Sequence, residues 1–201
     1  MIPARISQRL NRRGSIILVI LGVTLPLLIG LGVGELLIRP ARRPVGPPPE
    51  ELAAQSVSSP VPGGTTVSGW YSPGAAGHGA VLLLHGVQSD RRSMLGRALL
   101  LHRLGYAVLL VDLPAHGEST GDRITFGLKE GDGVRAALEF LRRQVPGERL
   151  GVIGVSLGAA SFVLSRGAPA PDAVVLESMF PRSGTRLPTG SNNGWDPSAP
   201  G

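Results

Sequence analysis

Ser156 stands in the run Gly154-Val155-Ser156-Leu157-Gly158, a spacing that suits an activated hydroxyl. The run begins at the end of the apolar stretch Leu150–Val155 and leads straight into a helical stretch, Leu157–Ser165. A serine on such a strand-to-helix bend has its Oγ lifted clear of the sheet, at a helix N-terminus. Glycine is expected on either side because a side chain there would collide with the neighbouring strand and helix. If the hydroxyl attacks an acyl carbon, the N–H of Leu157 can face the oxyanion that forms. The plainer alternative is a Gly-rich turn whose serine caps the helix.

Two further turns follow apolar runs. Leu84-His85-Gly86-Val87 comes after the run Ala80–Leu84, and a tight His-Gly turn there can present the N–H of Val87 as a second oxyanion donor. His85 is read as shaping that turn, with no role as a base. Asp112-Leu113-Pro114-Ala115-His116-Gly117-Glu118-Ser119 follows a third run and forms a loop beside the pocket, which Asp112 is expected to tie by hydrogen bonds.

Something must position these turns, and the pattern over residues 65–180 supplies it. Short apolar strands at 66–71, 80–84, 106–111, 150–155 and 173–176 alternate with helical stretches at 90–104, 128–145 and 157–165. The second helix is the clearest, with Val134, Ala137, Leu138 and Leu141 on one face. Strand–helix alternation predicts an α/β domain, a parallel sheet covered by helices on both faces.

The 201 residues include no cysteine, which excludes disulfides, thiolate metal sites and a cysteine nucleophile. The four histidines are scattered without ligand spacing, so neither a metal nor a cofactor is expected. The net charge of +6 invites a nucleic-acid reading, but position argues against it. Arg5, Arg9, Arg12 and Arg13 precede the apolar segment 15–38, and Arg39, Arg42 and Arg43 follow it. Basic clusters beside an apolar span suit an anionic membrane surface.

Residues 15–38 are accordingly read as one transmembrane helix or signal anchor in contact with membrane lipid. A cleaved signal and a buried core helix are the alternatives. The arginine balance puts residues 1–14 in the cytoplasm and the domain on the extracytoplasmic side of a single-pass protein. Residues 39–64, rich in Pro, Ser and Ala, are expected to form a tether.

Taken together, HG at 85–86, DLPAHGES at 112–119, TFGLKEGDGVRAALEFLR at 125–142 and GVSLG at 154–158 resemble the α/β-hydrolase superfamily. Within it they look like the serine aminopeptidase-like hydrolases, some of which are membrane-anchored. The resemblance implies an eight-stranded sheet and a serine–acid–histidine triad. It also implies an ester, thioester or amide substrate, either a small molecule or an acyl or peptidyl group.

In that superfamily the acid and the histidine follow the serine. Here His78, His85, His102 and His116 all precede Ser156, and the later acids are Asp172, Glu177 and Asp196. Glu177 is the best acid candidate by the resemblance, with a structural glutamate as the alternative. Residues 181–201 show no apolar periodicity and read as a disordered tail. The expectation is a C-terminally incomplete hydrolase lacking its acid and histidine, with little turnover. The competing expectation is a catalytically inactive, membrane-anchored binding protein.

Overall fold

The computed structural model describes residues 12–178. The expectations for residues 1–11 and for the tail 181–201 lie outside the described residues. The first element, α1 (Arg12–Ile38), carries Leu, Ile and Val on every side, so no single face can be buried. Its stretch Gly14–Ile38 is long and apolar enough to cross a membrane, and none of that stretch is buried in the structure. At about 1.5 Å per residue the stretch reaches roughly 37 Å, beyond the roughly 30 Å of a bilayer's hydrocarbon layer.

Residues 39–64 correct the expected tether. They hold a two-residue strand, β1 (Ala41–Arg42), a 3-10 turn at Glu50–Leu52, and the seven-residue strand β2 (Gln55–Val61). β2 pairs antiparallel with β3 (Thr65–Ser72) in a hairpin that matches Ser58 to Ser68. The composition misleads because β2, QSVSSPV, is mostly polar and contains a proline. It lies at the edge of the sheet, where a missing N–H is tolerated. Leu52 is wholly buried in the core on the α2 side, with Trp70, Met94 and Ala98, so this segment belongs to the domain.

The remaining strands are β4 (Ala80–Leu84), β5 (Ala107–Val111), the two-residue β6 (His116–Gly117), β7 (Leu150–Val155) and β8 (Ala173–Glu177). Six of the eight form one sheet in the order β2-β3-β5-β4-β7-β8, and β1 pairs with β6 in a separate ribbon. β4, β5, β7 and β8 run parallel, as expected, but β3 is antiparallel to β5. The sheet is therefore mixed, with the hairpin β2–β3 added to one side of a parallel core.

Three helices cover it: α2 (Leu95–Arg103), α3 (Leu128–Gln144) and α4 (Leu157–Leu164). Alternate residues of the central strands point to opposite faces. Leu82, Leu84, Leu109 and Val111 pack with Val134, Leu138, Leu141 and Leu157 of α3 and α4. Val81, Leu83, Val108 and Leu110 pack with Met94 and Ala98 beside α2. β8 is the sheet's other edge among the described residues, and its Val174 and Val175 are exposed.

Candidate active site

Ser156 occupies the bend between β7 and α4 with φ 50° and ψ −108°. No L-residue adopts that conformation freely, so the surrounding contacts must hold it. Two backbone bonds do so. The Ser156 N–H donates to the Glu177 carbonyl at 2.8 Å, and the Ser156 carbonyl accepts from the Ala160 N–H at 3.0 Å. The neighbouring glycines are required by close approach. A Cβ at Gly154 would stand 2.9 Å from the Ala159 nitrogen, and one at Gly158 would stand 2.6 Å from the Leu84 oxygen.

The turn after β4 lies directly beside the serine. A Cβ on Gly86 would be 3.7 Å from the Ser156 Cβ, which places the 85–88 backbone over the bend. Neither the Val87 N–H nor the Leu157 N–H has an acceptor among the described residues. Ser156 itself is half-buried, and its hydroxyl makes no hydrogen bond among the described residues.

His85 and His116 hold this turn. The Leu113 N–H donates to His85 Nε2 at 3.0 Å, so the ring carries its proton on Nδ1 and donates to the Gly86 carbonyl at 2.7 Å. His116 is arranged alike, with Nδ1 on the Pro114 carbonyl at 3.0 Å and Nε2 facing the Gln88 N–H at 3.3 Å. The rings meet edge to face, 5.2 Å between centroids. Both nitrogens of each ring are occupied, and both side chains are buried, so neither imidazole can serve Ser156 as a base.

Burial pushes the His85 pKa down to about 4 and lowers that of His116 too. An unfolded histidine near 6.5 binds more protons than the folded one between pH 6.5 and 4. Stability is therefore unaffected by His85 above pH 6.5 and is lost progressively as the pH falls to about 4, where the loss reaches about 3 kcal/mol. The ring resonances of His85, followed by NMR, should not move around pH 6.5 and should titrate only near 4. A midpoint near 6.5 would contradict this burial.

The expectation for Asp112 agrees with the structure. The carboxylate is wholly buried and accepts from the Arg91 N–H at 2.7 Å, the Arg91 guanidinium at 2.6 Å and the Glu118 N–H at 2.8 Å. Burial pushes its carboxyl pKa up, and the guanidinium and two amides pull the other way. Arg91 is the residue that the sequence reading missed. Its side chain is 1% exposed, stacks 4.7 Å over the Trp70 ring and also pairs with Glu118. No local signal separates it from Arg92 beside it, which is exposed and bonds Asp90.

Glu177 sits at the end of β8, in register with Val155. Its carboxylate is bound by Arg97 of α2 at 2.6 Å and by no imidazole. His102 faces Ser72, and His78 faces the Leu104 carbonyl near the start of β5, at the opposite end of the strands. None of the four imidazoles bonds Ser156.

Residues 81–200 match the model of the alpha/beta hydrolase family. The chain belongs to that family. This α/β-hydrolase is 38% identical over 121 residues to an uncharacterized protein of Mycobacterium tuberculosis, Rv2307c, a match that covers 58% of the chain and 42% of the relative. The chain thus spans less than half the length of the curated relatives it matches. It is similar in structure to the Pyrococcus furiosus esterase Pf2001, at TM-score 0.55 and 32% identity, over 61% of this chain and 48% of that one. It shares its fold with XC6422 of Xanthomonas campestris, described as a serine hydrolase without lid. That likeness has TM-score 0.53 and 23% identity, and covers 65% of this chain and 62% of the other.

Proposed function

We propose that this α/β-hydrolase carries the nucleophile and oxyanion site of a serine hydrolase anchored in a membrane by α1. Ser156 Oγ attacks an ester, thioester or amide carbonyl, and the carbonyl oxygen becomes an oxyanion received by the N–H groups of Val87 and Leu157. Collapse of that intermediate breaks the bond to the leaving group, which takes up the serine's proton through solvent and departs as alcohol, thiol or amine, leaving an acyl-enzyme that water then hydrolyses. The observation that carries this reading is the strained backbone of Ser156, φ 50°, beneath the Gly86 turn with two unengaged amides nearby. Strain of this kind persists where the surrounding structure imposes it, often at functional sites. Glu177 has no part in the proposal, because Arg97 holds its carboxylate. The serine aminopeptidase-like motifs at 85–86, 112–119 and 125–142 support the subtype, and esterase Pf2001 supports ester chemistry.

A serine without a general base is a weak nucleophile, and no imidazole of this chain is bonded to Ser156. The 201-residue chain in detergent should therefore react with a fluorophosphonate on the order of 10⁴-fold more slowly than a triad serine. Peptide mapping after long exposure should find the adduct on Ser156, and Ser156→Ala should abolish it. Labelling as fast as an intact triad would overturn the missing base, and an adduct on other serines would overturn the nucleophile. The backbone partners that occupy both nitrogens of His85 and His116 favour a second reading, a membrane-anchored binding protein with no acyl chemistry. That reading expects no adduct at Ser156 even at saturating reagent.

A further inference from the structure

Everything at the candidate site stands at one end of the sheet, the C-terminal ends of β4, β5 and β7, where Gly86, Asp112 and Ser156 follow their strands. α3 crosses from β5 back to the start of β7, so its N-terminus and the preceding loop lie at that same end. α1 arrives there as well. The Ile38 carbonyl, its last, accepts from the Ile124 N–H at 2.8 Å, and the Ala41 N–H donates to the Ala115 carbonyl at 2.8 Å. Only Arg39 and Pro40 separate the helix from its first strand contact, a leash of about 10 Å.

The strand after that leash is fastened to the site loops. The Arg43 N–H donates to the Gly117 carbonyl at 2.8 Å, and its guanidinium reaches the Gln88 carbonyl at 2.5 Å. Glu118 accepts from the Val45 and Gly46 amides at 3.0 and 2.9 Å. The Gly46 amide, with Arg91, holds the Glu118 carboxyl down at about 2. If α1 spans a bilayer, this end of the sheet is pinned within a few residues of the lipid surface.

Beside the pinning point the chain spends conformational energy to expose an aromatic ring. Phe126 has φ 51°, unfavourable for a bulky residue, and is 48% exposed. The wholly buried Glu130 imposes that conformation from both sides. Its carboxylate accepts from the Thr125 N–H and hydroxyl at 2.8 and 2.6 Å and from the Gly127 N–H at 2.8 Å. Gly127 lies against α4, where a Cβ would stand 2.8 Å from Leu164 Cδ1. Next along the chain, Leu128 is 70% exposed. Arg39 and Arg123 adjoin the Ile38–Ile124 bond and Arg42 follows in β1; all three are exposed and form no ion pair among the described residues, while Lys129 and Asp122 pair with each other. An outward aromatic and leucine with exposed arginines on the adjoining segments is a composition that suits the headgroup layer.

We propose that the Phe126–Leu128 loop docks into the lipid headgroup layer of the bilayer that α1 spans, so that the mouth of the Ser156 site opens at the lipid surface. The proposal rests on the reading of α1 as a membrane anchor. The chain has no cysteine, so single cysteines can be introduced and labelled without background. The test uses the full chain reconstituted in vesicles of phosphatidylcholine and phosphatidylglycerol, with a fluorophore at Phe126→Cys, Leu128→Cys, Leu104→Cys or Leu27→Cys. Leu104 is equally apolar and 56% exposed but precedes β5 at the opposite end of the sheet, and Leu27 is mid-helix.

Nitroxide lipids with the quencher near the headgroups should quench labels 126 and 128 at least about twofold more than label 104, as expected for side chains sunk 5–10 Å into the interface. Quenchers deep in the acyl chains should quench label 27. If 27 is quenched while 126 and 128 behave like 104, the docking is wrong and the anchor stands. If 27 is not quenched, the anchor itself fails. Leu128 is fully outside the Glu130 clamp, so its result holds even if Phe126→Cys disturbs the loop.

Discussion

Asp112→Ala is expected to destabilise the domain by about 3–5 kcal/mol, the range for removing one partner of a buried ion pair. Three donors converge on this carboxylate: the Arg91 amide, the Arg91 guanidinium and the Glu118 amide, all between 2.6 and 2.8 Å. Arg91 is 1% exposed, so water cannot replace the lost oxygens, although Glu118 still holds one of its nitrogens. Two backbone amides also lose their acceptor, and each unsatisfied buried donor costs about 1–3 kcal/mol. The damage should spread to the site, because Asp112 fixes the loop that holds His85 and His116 against the turn at 85–88. Asp112→Asn should recover only part of the stability, since one oxygen remains but its NH2 faces donors. Hydrogen exchange of the β4 and β5 amides measures the loss. A change below 1 kcal/mol would show that Glu118 alone suffices for Arg91.

The same residues mark where a linear reading ends. The strands 80–84 and 150–155 and the helix 128–144 are legible because their apolar patterns are local and their ends carry Gly or Pro. The bend at Ser156 is legible because close packing demands glycine at 154 and 158, and that demand is written in residue types. β2 is not legible. Its stability comes from pairing with β3 and from setting Val57 and Val61 against the core on the α3 side, and two valines in QSVSSPV leave too little apolar alternation to read. β1 is weaker still, two residues whose strand state exists only through His116 and Gly117 across the ribbon. The antiparallel direction of β3 goes with the seven-residue link 73–79 to β4, too short for the crossover that a parallel strand needs. The place of Glu177 at a strand tip is legible, but its partner Arg97 lies 80 residues earlier, and no spacing rule links them.

Gly158→Val is expected to prevent the domain from folding, while Gly158→Ala should cost about 3 kcal/mol, the upper end for forcing atoms into a packed interior. The reason is backbone contact. A Cβ at 158 would stand 2.6 Å from the Leu84 oxygen, 2.7 Å from the Leu84 Cβ and 2.8 Å from the His85 oxygen. Main-chain atoms of a central strand cannot swing aside as a side-chain tip can, so α4 must lift away from β4. That movement would also draw the Leu157 amide off the turn at 85–88 and should lower fluorophosphonate labelling of Ser156 in whatever fraction still folds. Gly96 supplies the opposite sign. It lies within α2 with nothing inside 4 Å of its would-be Cβ, so Gly96→Ala should stabilise by about 0.5–1 kcal/mol through helix propensity alone. Thermal melts of the two alanine variants should move in opposite directions. If Gly158→Ala melts with the parent protein, α4 is not pressed onto β4, and the bend at Ser156 is looser than its backbone angles imply.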